Sequence, residues 1–212
     1  MIKIIDYGMG NAASILNMIR KVNGEAELCS KPDQLNNASA IILPGVGSFD
    51  NAMAKLKKLN LIEELYRKVF LEKISFLGIC LGMQLLLEKS EEGDLPGLGW
   101  IKGSNKRFNF SKSKFSNDLK VPNMGWRTIK PNSYENLFLG VEDEARFYFV
   151  HSYFADCINH SDILATSIYG HEFTCAIKRD NIWGVQFHPE KSHLFGINFF
   201  KNFFNTIKND QN

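Results

Sequence analysis

Three short apolar segments, each soon followed by a glycine, most strongly constrain how this chain can fold. They are Lys3–Asp6, Ala40–Leu43 and Ile74–Leu77, and helical patterns follow them. One of these helical stretches, from about residue 50 to 70, is expected to break near Asn60. Segments that alternate in this way form parallel sheets with helices on both faces. The sequence therefore predicts an α/β fold with a doubly wound, mostly parallel sheet, whose functional site lies beyond the carboxyl ends of the strands.

The second half of the chain has closely spaced β-like segments and few helical stretches. Between residues 99 and 130 the pattern indicates strands joined by a polar loop, and four further segments are β-like: 146–150, 163–168, 173–178 and 182–187. The last apolar element, roughly 193–208, has the spacing of a helix with a buried face. We therefore expect an added antiparallel or mixed β section.

Composition limits the classes of function. A chain of 212 residues that is 44% hydrophobic and 23% charged suits one globular domain, which we place at residues 1–212. A net charge of +2 gives no general attraction to nucleic acid, and no apolar stretch approaches the ~20 residues that span a bilayer. The four cysteines form no C-x-x-C pair, so neither a zinc site nor a disulfide framework is indicated. We expect a cytoplasmic protein without metal, cofactor, membrane or nucleic-acid partner.

Cys80 is the strongest candidate for chemistry. It lies between Gly78 and Gly82, directly after the apolar segment Ile74–Leu77. This spacing is typical of a nucleophile elbow, the strand-to-helix turn that exposes a reactive side chain. At the start of a helix, the free backbone N–H groups favour a thiolate. A small buried cysteine between packing glycines is the structural alternative.

A histidine and a carboxylate follow at the end of another apolar segment. His188 and Glu190 flank Pro189. In extended chain such a pair points the same way, so Glu190 can orient the imidazole, which can take a proton from a cysteine. A lone histidine at a strand end is more often structural. Together with Cys80, however, the pair predicts a Cys-His-Glu catalytic triad.

The turn after the second apolar segment suggests where negative charge is stabilised. Gly45, Val46 and Gly47 form a glycine-rich turn that can direct backbone N–H groups at the oxygen of a tetrahedral intermediate. The N–H of Leu81 is the natural second donor. An ordinary strand-ending turn is the alternative.

These motifs together resemble a known enzyme family. The segments Gly78–Gln84 and Phe187–Glu190 are similar to those of the class I, or triad, glutamine amidotransferases. Over nearly the whole chain the agreement extends to the glutaminase subunits of imidazole glycerol phosphate synthases. The further matching segments are Ile5–Asn11, Leu43–Phe49, Ser90–Gly93, Met124–Trp126, Phe147–Tyr153 and His188–Ser192.

The resemblance implies the class I amidotransferase fold and hydrolysis of glutamine to glutamate and ammonia. Cys80 would attack the side-chain amide, His188 would pass the proton to departing ammonia, and Glu190 would hold the histidine. A water activated by the same histidine would then cleave the thioester.

The resemblance also nominates residues that bind glutamine. Gln84 and Glu92 would hold the amino-acid end of glutamine, while Ser152 and Tyr153 would border the pocket. The structural alternatives are a glutamine on a helix surface, a solvated acidic run and a buried aromatic strand.

A partner is implied as well. Family members work with a separate (β/α)8-barrel cyclase subunit that consumes the ammonia, in a heterodimer that serves histidine biosynthesis. The resemblance places Asn11, Trp126 and Lys191 on the partner face, although a tryptophan is more often buried and a lysine more often only solvated. We expect the glutaminase to be slow alone, with a peptide at Val46 and Gly47 that reorients when the partner is active.

Departures from the family pattern concern the ammonia acceptor. Asn123 stands where the family often has histidine, and Arg127 where it often has asparagine; the segment Glu190–Gly196 looks more like a paralogous group. That group supplies ammonia to amidate a surface or nucleotide-linked sugar. The sequence leaves this alternative open.

Three other functions are less consistent with the sequence. An α/β-hydrolase orders its triad nucleophile, acid, histidine, whereas here the acid follows the histidine. A regulatory homologue without catalysis has no need of the complete set Cys80, His188 and Glu190. A stand-alone glutaminase is disfavoured because the 212 residues include no synthase domain.

Overall fold

The computed structural model describes residues 1–111, 119–132, 136–140 and 145–210. Part of the polar loop expected between residues 99 and 130 falls on 112–118, outside the described residues. Within the described ranges, no helix is both long and apolar enough to cross a membrane.

Parallel strands and helices alternate in the first part of the chain. The strands are β1 (Ile2–Ile5), β2 (Ala26–Cys29), β3 (Ala40–Gly45) and β4 (Ser75–Cys80), and the helices are α1 (Ala12–Lys21), α2 (Phe49–Lys58), α3 (Leu61–Tyr66) and α4 (Leu81–Gln84). The predicted helical stretch breaks at Asn60, which has a φ of +54° between α2 and α3.

Strands dominate the remainder. They are β5 (Lys89–Ser90), β6 (Gly103–Arg107), β7 (Asn123–Pro131), β8 (Arg146–His151), β9 (Tyr153–Cys157), β10 (Ile163–Tyr169), β11 (His171–Arg179) and β12 (Ile182–Val185), followed by helix α5 (His193–Asp210). β9 was not predicted as a separate strand. The predicted segment 146–150 corresponds to β8 alone, and only Ser152 separates β8 from β9.

All the strands of the described residues join one sheet network. Along its main path the order is β2-β1-β3-β4-β12-β11-β10-β7-β8, while β5, β6 and β9 pair beside it. β12 pairs with β4 in parallel and with β11 in antiparallel orientation, so it connects the two kinds of sheet. The predicted α/β fold with an added antiparallel or mixed section is confirmed.

The core lies on both faces of the parallel strands, because successive side chains of a strand point to opposite faces. Ile42 of β3 packs into a cluster with α1 and α5, which includes the fully buried Phe199, Phe200 and Phe203. The next residue back, Ile41, packs into a second cluster with α2 and α3. Between these layers the carboxyl ends of β3, β4 and β12 lie side by side.

Candidate active site

Cys80 occupies the strained turn that the elbow motif predicts. It ends β4 and precedes α4 with φ of +56° and ψ of −110°, a conformation that L-residues rarely adopt and that costs about 1–3 kcal/mol. Two glycines make this turn sterically feasible. A Cβ on Gly82 would lie 1.8 Å from the carbonyl oxygen of Leu43, and one on Gly78 would lie 2.5 Å from the oxygen of Gly82. Close packing of β3, β4 and α4 thus requires glycine on both sides of Cys80.

His188 and Glu190 form a buried pair after β12. Nδ1 of His188 lies 2.7 Å from Oε1 of Glu190, and both side chains are almost completely buried. The expectation that an extended chain aligns them is wrong, because Pro189–Lys191 form a 3₁₀ turn. The turn itself is held by the hydroxyl of Ser192, which donates to the carbonyl of His188 at 2.6 Å.

The electrostatics of the pair favour a protonated imidazole. Burial lowers the pKa of His188, but the neighbouring Cys80 sulfur and the Glu190 carboxylate outweigh it and raise the pKa to about 10. Nε2 of His188, the nitrogen not bonded to Glu190, is buried without a hydrogen-bond partner among the described residues. It is therefore free to exchange a proton with a reacting group.

The sulfur of Cys80 has two further neighbours. The side-chain amide of Gln186 donates to Sγ at 3.6 Å, and the carbonyl oxygen of Val150 lies 3.9 Å away. Sequence reasoning did not single out Gln186. Its position two residues before His188 was the available signal, because residues at i and i+2 of a strand lie on the same face.

The predicted oxyanion turn lies against the elbow. A Cβ on Gly45 would be 2.9 Å from Cβ of Leu81 and 3.1 Å from the nitrogen of Gly82, so the turn and α4 are in close contact. Gly47 has a φ of +107°, and Val46 is 44% exposed. The turn therefore reaches the nucleophile from one side while its outer peptide faces solvent.

A cavity of about 280 Å³ opens beside Cys80. Its size suits a small ligand. It brings together nearly all the residues predicted for oxyanion and glutamine binding, namely Val46, Gly47, Leu81, Gln84, Glu92, Ser152 and Tyr153. A larger cavity of about 590 Å³ near Met1 and Phe204 is remote from the elbow and has none of these residues in its wall.

The two polar residues expected to hold glutamine differ in how they are bound. Nε2 of Gln84 donates to the carbonyl of Tyr153 and to Oε1 of Gln186, both at 3.1 Å, so both amide hydrogens are used within the protein. Gln84 is therefore not on a helix surface. Oε2 of Glu92 accepts from the N–H of Phe49 at 2.8 Å, at the start of α2.

His151 lies in the cavity wall and was not predicted from the sequence. Its Nδ1 lies 2.8 Å from the carbonyl oxygen of Tyr153, and its Nε2 lies 2.9 Å from Nδ2 of Asn123. Burial lowers the pKa of His151 to about 4, with smaller contributions from His188 and Arg127. It is thus neutral near pH 7 and braces the strand that forms the cavity wall.

The predicted partner residues are all exposed, but they do not form one contact group. The ring of Trp126 stacks on that of His193 at 5.4 Å, and the alternative of a buried tryptophan is wrong. The amine of Lys191 lies 5.7 Å from the ring centroid of Tyr148, which also contacts Trp126. Asn11 instead caps α1 by accepting from the N–H of Ser14.

Comparisons with known proteins identify the family. The family model for glutamine amidotransferase class-I matches residues 3–207. The chain is 50% identical over 203 residues to an imidazole glycerol phosphate synthase subunit HisH 2 of Methanococcus maripaludis, covering 96% of this chain and 98% of that protein. It is 46% identical to the HisH subunit of Bdellovibrio bacteriovorus, with the same coverage.

Solved structures support the fold at lower identity. A putative GMP synthase component of Thermoplasma acidophilum superimposes with a TM-score of 0.73 at 18% identity, covering 99% of this chain and 94% of that one. PurLQS of Thermotoga maritima superimposes with a TM-score of 0.73 at 18% identity, covering 97% and 98%. This chain therefore belongs to the class I glutamine amidotransferase family, and within that family to the HisH subunits of imidazole glycerol phosphate synthase.

Proposed function

We propose that this glutamine amidotransferase releases ammonia from glutamine through a triad of Cys80, His188 and Glu190. The observation that carries the proposal is the buried pair of His188 and Glu190, whose Nδ1 and Oε1 atoms lie 2.7 Å apart. The Cys80 sulfur and the Glu190 carboxylate raise the pKa of His188, and its Nε2 has no hydrogen-bond partner among the described residues. A thiolate beside an imidazolium is the activated form of a cysteine nucleophile.

The reaction then follows in two halves. The Cys80 sulfur attacks the side-chain carbonyl carbon of glutamine, and the C–N bond breaks as Nε2 of His188 gives its proton to the departing ammonia. A water next adds to the thioester and loses a proton to the same nitrogen. When the C–S bond breaks, glutamate leaves and the thiolate with its protonated histidine is restored.

The oxyanion of each tetrahedral intermediate is assigned to the turn Gly45–Gly47 and the N–H of Leu81. The support is their position around the cavity beside Cys80. Since Val46 is 44% exposed and Gly47 is a glycine, which accepts φ of either sign, the peptide between them can turn over. We infer that partner binding selects the orientation that completes the oxyanion hole, so the isolated subunit is slow.

Glutamine would occupy the cavity with its amide toward Cys80. Glu92 provides the negative charge for the α-ammonium group, while Ser152 and Tyr153 form the facing wall. Gln84 can contribute only its carbonyl oxygen, because its amide hydrogens are already bound.

The ammonia acceptor is assigned through the HisH relatives, which are named as subunits of imidazole glycerol phosphate synthase. We propose that residues 1–212 act as one amidotransferase domain that passes ammonia to a (β/α)8-barrel cyclase subunit for histidine biosynthesis. The exposed Trp126 and Lys191 would contact this partner, and Asn11 would lie at its margin. The described cysteines are free thiols, which is consistent with the reducing cytoplasm.

Two observations near the partner face support an alternative ammonia acceptor. Asn123 and Arg127, which depart from the usual family pattern, are joined by a hydrogen bond of 3.2 Å, and His193 stacks on Trp126. A face altered in this way could suit a synthase that amidates a surface or nucleotide-linked sugar.

The test is release of glutamate from glutamine, with and without the co-purified synthase subunit and its substrate. Cys80→Ala should abolish release, whereas replacement of the buried Cys29, Cys157 or Cys175 by alanine should leave the catalytic step intact. Activity that survives Cys80→Ala would overturn the triad. If the isolated subunit is as fast as the complex, the gating of Val46 and Gly47 is wrong. To identify the acceptor, glutamate release by the complex is measured with a phosphoribosyl-type substrate and, separately, with a nucleotide sugar. The substrate that stimulates release is the acceptor.

A further inference from the structure

Gln186 is a completely buried amide that directly contacts the nucleophilic sulfur. It follows β12 by one residue, its backbone N–H donates to the carbonyl of Cys175 at 2.9 Å, and its side chain is 0% exposed. Nε2 lies 3.6 Å from Sγ of Cys80, within the usual range for a hydrogen bond to sulfur. The triad mechanism described above makes no use of this contact.

The orientation of the Gln186 amide follows from its other neighbour. Nε2 of Gln84 donates to Oε1 of Gln186, and the second hydrogen of that nitrogen goes to the carbonyl of Tyr153. If the Gln186 amide were reversed, two NH₂ groups would face each other and a carbonyl oxygen would face the sulfur. The network therefore directs the NH₂ group of Gln186 at Cys80.

Gln84 is itself held in place, which fixes the hydrogen bonds that lead from Gln84 through Gln186 to Cys80. Its backbone carbonyl accepts from Nδ2 of Asn105 at 2.9 Å, and Asn105 is also fully buried. A chain of amides thus runs from Asn105 through Gln84 and Gln186 to the sulfur. The amide of Gln84 has little freedom to turn away, because both of its hydrogens are bound, and it in turn fixes the orientation of the Gln186 amide.

The titratable side chains near the sulfur are either charged or neutral. His188, backed by Glu190, supplies positive charge and the proton that the reaction needs. The phenol of Tyr7 is buried, and burial together with Cys80 raises its pKa, so it stays neutral. His151 is neutral as well. Gln186 is therefore a donor that can stabilise a thiolate without consuming the His188 proton.

We propose that Gln186 is a further catalytic residue, whose side-chain N–H stabilises the Cys80 thiolate both before attack and when it leaves the thioester. A sulfur bonded to carbon carries less negative charge and accepts this hydrogen bond weakly. When water has added and the C–S bond breaks, the electron pair returns to sulfur and the hydrogen bond strengthens. The proposal rests on Cys80 as the nucleophile.

Gln186→Met tests the proposal, because methionine keeps the length of the side chain and removes the donor. The measurement is the rate of Cys80 alkylation by iodoacetamide as a function of pH, with the modified cysteine identified by peptide mass spectrometry. Loss of one charge-assisted donor should move the midpoint upward by about one pH unit and slow alkylation at neutral pH about tenfold. Gln186→Glu should slow it further, since a carboxylate repels the thiolate.

Asn181→Ala is the matched control. Its amide is partly buried and donates to two backbone carbonyls, those of Val69 and Ile74, at the opposite end of β4. It should lower the free energy of unfolding without moving the alkylation midpoint. A midpoint that shifts equally in this control would show that lost stability, rather than the lost donor, changes the sulfur.

The outcomes separate this proposal from the triad. If Cys80→Ala abolishes glutamate release and Gln186→Met leaves the alkylation profile unchanged, only the role of Gln186 is overturned. If Cys80→Ala remains active, the nucleophile itself is wrong. Should Gln186→Met fail to fold, Gln186→Leu provides the same test, because leucine also removes the donor and adds no charge; an unshifted profile in that variant overturns the proposal.

Discussion

Ile79 of β4 and Val185 of β12 are direct neighbours in a parallel pair of strands. Cys80 at the end of β4 and Gln186 just after β12 therefore lie side by side, and His188 follows within reach of the sulfur. Since successive side chains alternate between faces, a slip of one residue in this register would turn the whole proton-handling group away from the nucleophile. The site thus depends on strand pairing as much as on the motifs.

Glu190→Gln should reduce glutamate release by the complex about 10- to 100-fold, as an amide holds the imidazole less well and does not stabilise its charge. The measurement is kcat for glutamine in the presence of the synthase subunit. Asp33→Asn, on an exposed turn far from the site, serves as the control. An unchanged kcat in Glu190→Gln would remove Glu190 from the triad.

His151 should make the protein less stable in acid. Its pKa is about 4 when folded, below its usual value when unfolded, so its contribution is complete above about pH 6.5 and is lost as the pH falls toward 4. Between about pH 6.5 and 4, the free energy of unfolding measured with urea should fall about 3 kcal/mol more in the wild type than in His151→Gln. The exposed His160→Gln should follow the wild type. If the free energy of unfolding fell with pH in the same way in all three proteins, the prediction would be contradicted.

Asp50 should control the affinity for glutamine. Its carboxylate accepts from the N–H groups of Asp94 and Leu95, both at 3.0 Å, and so holds the loop that carries Glu92. Asp50→Ala should raise the KM for glutamine about tenfold and change kcat much less, because Glu92 is assigned to the amino-acid end of glutamine and not to its reacting amide. Steady-state kinetics of the complex would show this. A fall in kcat with constant KM would place Asp50 in the chemical step instead.

Trp126→Ala should weaken binding of the synthase partner about 10- to 100-fold, as large exposed aromatic rings are frequent anchors of interfaces. Alkylation of Cys80 in the free protein should not change, since the ring stacks on His193 at the surface. Calorimetric titration measures the affinity. Tyr66→Ala is the control, because Tyr66 is also exposed but lies on α3. If both substitutions weakened binding equally, Trp126 would not be an anchor of the partner interface.

The elbow at Cys80 and the fold around it were predictable because their signals are local. Short apolar segments soon followed by glycine indicate buried parallel strands. Gly78 and Gly82 leave room for a sharp turn within a few residues of the nucleophile. The alternation of strands and helices then determines which edge of the sheet carries the site.

The contacts that the sequence did not reveal join residues far apart in the chain. The amides of Gln84 and Gln186 are separated by 102 positions, and Asn123 meets His151 across 28. A buried amide has no spacing rule of its own, so its partner is decided by tertiary packing. β9 was missed for a related reason, since its boundary with β8 depends on pairing with β6 and β11.

The position of β12 in the sheet has a consequence for synthesis of the chain. β4, which carries the nucleophile, pairs with a strand that begins more than a hundred residues later, at Ile182. A growing chain therefore presents Cys80 long before any base can reach it, and contacts of such separation form late in folding. An incomplete chain holds a thiol but no triad, so a ribosome-bound or truncated chain consumes no glutamine.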